Sequence, residues 1–104
     1  MSEIKELQEK ITDFASKRQW IKFHTPKNLV MALTGEVGEL SAEFQWLTPE
    51  EAIAIDSQQR ESVGLEIADV AIYLLRLCTV LNIDLKSVIE AKLDINEERF
   101  PQIK

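Results

Sequence analysis

Two stretches of this chain place apolar residues three and four apart for longer than a strand usually runs. In 26–47 they are Leu29, Leu33, Val37, Leu40, Phe44 and Leu47; in 58–81 they are Val63, Ile67, Val70, Leu74, Leu77 and Leu81. That spacing returns to one side of a helix at every turn, whereas strands seldom exceed about ten residues. Two long helices with such stripes must bury them against other elements, so the fold class is all-α. The chain has only three prolines and three glycines, too few for a turn-rich β protein.

The remaining segments read the same way. In 2–20, Ile4, Leu7, Ile11, Phe14 and Ala15 form one helical stripe, and Glu3, Lys5, Glu9, Lys10 and Lys17 are its solvated side. A loop ending at His24, the only histidine, follows and carries Trp20 and Phe23. Thr25 before Pro26 reads as a cap followed by a first-turn proline. Thr48, Pro49 and Glu51 spell a capping box for a short helix or turn reaching Ile55. Asp56 or Ser57 starts the next long helix. Asn82 is its stop, and Asp84 caps a last helix over 85–100, ended by Pro101. That helix is expected to face the core with Leu85, Val88, Ile89, Leu93, Phe100 and the stem of Lys92. The expectation is a single domain, 1–104, of four main helices with short links and antiparallel neighbours. Gly35, Gly38 and Gly64 all fall inside helices, where each costs about 1 kcal/mol relative to alanine. Close helix–helix approach beside the acids is the expected reason.

Charge and cysteine narrow the function. A net charge of −6 argues against a nucleic-acid polymer as partner. It leaves room for a small polyphosphate whose charge is masked by metal. No apolar run approaches the ~18 residues of a membrane span. The acidic, amphipathic start does not read as a signal peptide. Cys78, the single cysteine, lies in an apolar run and is read as a small hydrophobe. A cytoplasmic protein, away from membranes, is expected.

The chemistry lies in acids set beside the stripes. Glu36 and Glu39 are three apart, as are Glu66 and Asp69, so each pair shares a helix face. On a wheel with Glu36 at zero, Glu39 falls at about −60°, and Leu33, Val37, Leu40 and Phe44 lie between about +40° and +100°. The second pair repeats that register, with Tyr73 on the acid face; Glu43 falls between the first two acids. Paired acids at helical spacing are commonly a solvated face. Here they border the core, occur twice in one register, and lie on the most apolar helices. A metal site is the other reading. Oxygen ligands without histidine or cysteine suit Mg²⁺, with Mn²⁺ as the alternative. Mg²⁺ binds carboxylates together with phosphates, which points to phosphoryl chemistry.

The motif Glu36-x-x-Glu39, 26 residues, then Glu66-x-x-Asp69 resembles the signature of the MazG-like all-α nucleoside triphosphate pyrophosphohydrolases. The surroundings are similar to the dCTP pyrophosphatase branch. They include Trp20, Phe23-His24-x-Pro26-x-Asn28-Leu29, Phe44-Gln45-Trp46, Asp69-Val70-x-Ile72-Tyr73-Leu74 and Lys92-x-Asp94-Ile95-Asn96-x-x-Arg99-x-Pro101. The likeness runs from about residue 18 to residue 101, nearly the whole chain.

The resemblance implies a four-helix-bundle-like MazG fold that is oligomeric, a homodimer or a homotetramer built as a dimer of dimers. It implies Mg²⁺-dependent hydrolysis of deoxynucleoside triphosphates between the α- and β-phosphates, yielding monophosphate and pyrophosphate. dCTP or a related or modified dNTP is the expected substrate, in nucleotide-pool house-cleaning. Glu36, Glu39, Glu66 and Asp69 would be metal ligands, with Glu36 and Glu39 the catalytic pair and Glu36 orienting or deprotonating water. Lys92 and Arg99 would neutralise phosphates, though Lys92 also fits a snorkelling stem. Trp20, Trp46 and Tyr73 offer flat surface for a base or deoxyribose. Asn96 and His24 could hydrogen-bond it, and for His24 a purely structural bond is the other reading. Relatives can carry a histidine contacting the nucleotide where Ile11 stands here, which leaves base selection open. The alternatives are a pyrophosphohydrolase for another nucleotide such as dUTP or a phosphoribosyl-ATP relative, and a helical dimerisation or partner-binding module without catalysis.

Overall fold

The structure, a computed structural model, describes residues 2–103. Five helices follow in order: α1 Glu3–Lys17, α2 Pro26–Phe44, α3 Pro49–Ile53, α4 Ser57–Leu81 and α5 Leu85–Arg99, with a single 3-10 turn at Ile21–Phe23. The described residues contain no strand. The all-α reading is borne out, with α3 the short helix and the other four the main ones.

Local chemistry sets these boundaries. Ser2, Thr25, Thr48, Asp56 and Asp84 each accept a backbone N–H of the first turn with their side chains. Thr48 with Glu51 and Asp56 with Gln59 close reciprocal capping boxes, which satisfy donors that the helix itself leaves free. Asn82 ends α4 in the left-handed conformation, φ 55° and ψ 46°, a backbone that asparagine tolerates better than most residues. α1 ends at Lys17, where the segment beginning at Arg18 was expected to end it, and α2 stops at Phe44 instead of 47.

α2 packs extensively on α4, and α1 contacts the same helix over a smaller area. The core is Ala15 of α1, Leu29 of α2, and Val63, Leu75 and Cys78 of α4. Cys78 is buried among them, as a small hydrophobe should be.

Two expectations fail. α5 buries none of its residues, and Val88, Ile89, Leu93 and Phe100 are all exposed. The stripe assigned to the core meets no other helix of its own chain extensively. The glycines are not close-approach points either: a Cβ built at Gly35, Gly38 or Gly64 meets nothing within 4 Å. Gly38 therefore has room within this chain for a Cβ, and alanine there would meet no neighbour.

The chain is extended for its size. It exposes 8364 Å², whereas a compact 11.9 kDa monomer exposes about 5,900 Å². Its radius of gyration is 16.7 Å, against about 13 Å for a compact domain of this length. No helix among the described residues is long and apolar enough to cross a membrane.

Candidate metal and nucleotide site

The α2–α4 contact sets the acid pairs face to face. Glu36, Glu39 and Glu66 each offer a carboxylate oxygen within 4.8 Å of the others. Glu36 and Glu66 are half-buried, and Oε2 of each is shut off from solvent without a hydrogen-bond partner. Orphaned buried carboxylate oxygens are costly unless a proton or a cation satisfies them.

Electrostatics point the same way. Desolvation is the main cause that raises the Glu36 pKa above its ordinary value, followed by the charges of Glu39, Asp69 and Glu66. Glu66 is raised first by desolvation and then by Glu39, Asp69 and Glu43. Asp69 is outside the trio that converges on one point, yet its charge reaches both half-buried glutamates. Glu43 accepts a hydrogen bond of 2.8 Å from Ser62 Oγ, which ties α2 to α4 beside the acids. That gives Glu43 a structural partner the sequence did not reveal.

The donor set fits a hard divalent cation: all oxygen, converging, with two unpartnered atoms among them. A purely solvated acid face does not explain oxygens buried without partners.

The other predicted residues are spread over several elements. Tyr73 is half-buried on α4. Trp20 precedes the 3-10 turn and packs edge-to-face on Phe14, ring centroids 5.7 Å apart. Trp46, just beyond α2, is 87% exposed, with nothing of its own chain covering it. Lys92, Asn96 and Arg99 are on α5; the two cations are exposed, while Asn96 Oδ1 is buried without a partner. The chain thus assembles the carboxylates by itself and leaves Trp46 and α5 open. A cleft of about 610 Å³ between α1 and the end of α4 is lined by Gln8, Thr12 and Thr79 among others, and by none of Glu36, Glu39, Glu66 and Asp69.

One buried polar residue was missed. Arg76 of α4 is 6% exposed and donates from Nε to His24 Nδ1 at 3.1 Å and from Nη1 to Thr12 Oγ1 at 3.0 Å. The signal was available, for Arg76 is the one charge within the apolar run 70–81. His24 thus has a structural hydrogen bond, and its pKa is lowered by burial first and by the Arg76 charge second.

These shifts predict the pH response of the metal-free protein. Carboxyls raised in the folded state take up protons before the unfolded chain does. Their stabilisation therefore grows as pH falls from neutral toward the usual glutamate value of 4.5, and disappears as pH rises through the folded pKa. His24 acts oppositely: stability is lost as pH falls below its usual value of 6.5 toward its lowered one. Glu36→Gln separates the two. In a chelator, the variant should melt above wild type near neutral pH, and the gap should shrink on acidification. A gap that stays constant would show that the glutamates are not coupled.

No protein-family model matches the chain. Over 91 residues, 86% of its length, it is 44% identical to dCTP pyrophosphatase 1 of Homo sapiens and 42% identical to that of Rattus norvegicus. The chain spans about half the length, 54%, of these curated relatives. It superposes on the crystal structure of a pyrophosphatase from Archaeoglobus fulgidus with a TM-score of 0.92 at 37% identity, covering 98% of this chain and 95% of that one.

Proposed function

The chain belongs to the MazG-like all-α pyrophosphohydrolase family, and from that membership we propose that it hydrolyses deoxynucleoside triphosphates to monophosphate and pyrophosphate, with dCTP or a related or modified dNTP preferred. The observation that carries this reading is the convergence of Glu36, Glu39 and Glu66 with two buried, unpartnered oxygens. The sequence relatives named dCTP pyrophosphatase supply the substrate class.

In this proposal Glu36, Glu39, Glu66 and Asp69 hold Mg²⁺, which Mn²⁺ could replace. When bound, the ion supplies positive charge to the phosphate oxygens. Glu36 orients the attacking water and accepts its proton. The water oxygen bonds to the α-phosphorus, the bond from that phosphorus to the bridging oxygen breaks, and pyrophosphate leaves with the bonding pair. Lys92 and Arg99 steady phosphate charge. Trp20, Trp46 and Tyr73 give stacking surface, and Asn96 and His24 give hydrogen bonds, Asn96 Oδ1 being a free acceptor.

Homodimers or tetramers complete the proposal. The exposed area exceeds that of a compact monomer by about 2,400 Å², while a standard interface buries about 800 Å² per partner. Uncovered apolar surface is available on α5 and in a 520 Å³ groove between α1 and α4, lined by Leu7, Ile11, Phe14 and Ile72. A cytoplasmic role in nucleotide-pool house-cleaning fits this activity.

The test is pyrophosphate release from each dNTP with Mg²⁺. dCTP should give dCMP and pyrophosphate, and a chelator should stop the reaction. Faster turnover of dUTP would move the base preference; inertness of every dNTP would remove the reading.

A further inference from the structure

Arg76 is the one charged side chain that the described residues bury, and neither ion pair among them involves it. A buried guanidinium without a carboxylate is expensive, so its neutral partners must be held well. Those partners join three segments: Thr12 on α1, Arg76 on α4, and His24 at the end of the 3-10 turn. His24 N–H donates to Ile21 O at 3.0 Å, and Asn28 Nδ2 donates to Phe23 O at 2.9 Å, so the turn that starts after Trp20 is fastened at His24. On the α4 wheel with Glu66 at zero, Asp69 falls at about −60°, Tyr73 at about −20° and Arg76 at about −80°. The clamp therefore closes on the same face that carries the acids and Tyr73.

The chemistry of the contact is directional. A guanidinium keeps all its protons, so Nε–H can only donate. His24 Nδ1 must then present its lone pair, and a neutral imidazole in that state carries its proton on Nε2.

We propose that Arg76 is a positioning residue of the nucleotide site: it fastens the Trp20–His24 segment to the acid-bearing face of α4 and fixes His24 as an Nε2–H donor for a substrate oxygen. The substrate clause rests on the function proposed above; the control of His24 does not. Arg76 is the charged group bearing on His24, and Thr12 meets the clamp from α1 as a neutral hydroxyl. Burial and the Arg76 charge both favour the neutral form of His24.

The chain's single histidine makes the test direct. In ¹⁵N-labelled wild type at neutral pH, the imidazole should show the Nε2–H tautomer and a titration midpoint below the usual 6.5. In Arg76→Lys, which loses the planar fork, the tautomers should average. Arg76→Met should also move the midpoint up toward the ordinary value, and folding of both variants is followed in the same spectra. With dCTP and Mg²⁺, Arg76→Lys should raise KM about 10-fold, the scale of one charge-assisted hydrogen bond, with a much smaller change in kcat. His24→Asn, whose Oδ1 can still accept from Arg76, should keep the segment ordered and show the same KM defect. The double variant should be no worse than either single one. An averaged tautomer in wild type, a pattern unmoved by Arg76→Lys, additive KM losses, or a loss confined to kcat would each overturn the proposal. Inertness of all dNTPs would overturn the function above together with the substrate clause, while the tautomer pattern would still decide whether Arg76 governs His24.

Discussion

Glu36→Gln should lower Mg²⁺-dependent pyrophosphate release from dCTP by more than about 100-fold, since loss of even an outer partner of a metal ligand costs 10- to 100-fold. The same variant should melt higher than wild type when metal-free. Both follow from one feature: Glu36 is held beside three other acids with an oxygen that nothing satisfies. Neutralising it relieves repulsion among the acids of the metal-free protein and removes a charge that the proposed ion would use. Added Mg²⁺ should accordingly raise the melting temperature of wild type far more than that of the variant. Asp69→Asn distinguishes two ways of holding the ion. A loss equal to that of Glu36→Gln means four carboxylates close on it; a much smaller one means that Glu36, Glu39 and Glu66 suffice. Loss of activity together with loss of metal-free stability would indicate a structural role for Glu36.

Leu29→Ala should be the most damaging change away from the site. Leu29 is 1% exposed and the largest fully buried side chain in a short list of core residues. Truncating such a leucine costs about 2–5 kcal/mol. For a chain of this size each kcal/mol shifts the midpoint by about 4–8 °C, so the melting temperature should fall by at least ~8 °C. Urea unfolding should show a lower midpoint with an unchanged slope. A small shift would mean that the subunit's own core contributes little, and that contacts between subunits carry the fold.

What could be read in advance was what local chemistry decides. Thr25-Pro26, Thr48 with Glu51, Asp56, Asn82 and Asp84 all act where their side chains dictate, because a cap involves only three or four neighbouring residues. The meeting of Glu36 and Glu39 with Glu66 was legible because two stripes of equal register, packed together, bring their borders together. The burial of α5 was misread for the opposite reason. Periodicity says that a stripe needs cover, and Leu85, Val88, Ile89 and Leu93 do; it does not say which molecule provides it. The glycines mislead likewise, since an open Cβ position is a fact of three-dimensional neighbours. Arg76 was passed over because nothing local marks its role: its partners lie 52 and 64 residues away in the chain.

The junction between α4 and α5 has a mechanical consequence. Asn82 in its left-handed conformation is capped back onto α4, and Asp84 starts α5 at once. A continuous helix joined to α4 by so short a link can be displaced only as a unit, about that joint. α5 is about 22 Å long, so a swing of about 10° at the joint carries its far end, with Arg99, through about 4 Å. Asn96, nearer the joint, moves less. Small torsional changes at Asn82 and Ile83 would thus be geared up into displacements the size of a phosphate group, giving substitutions remote from every carboxylate leverage over the reach of Arg99.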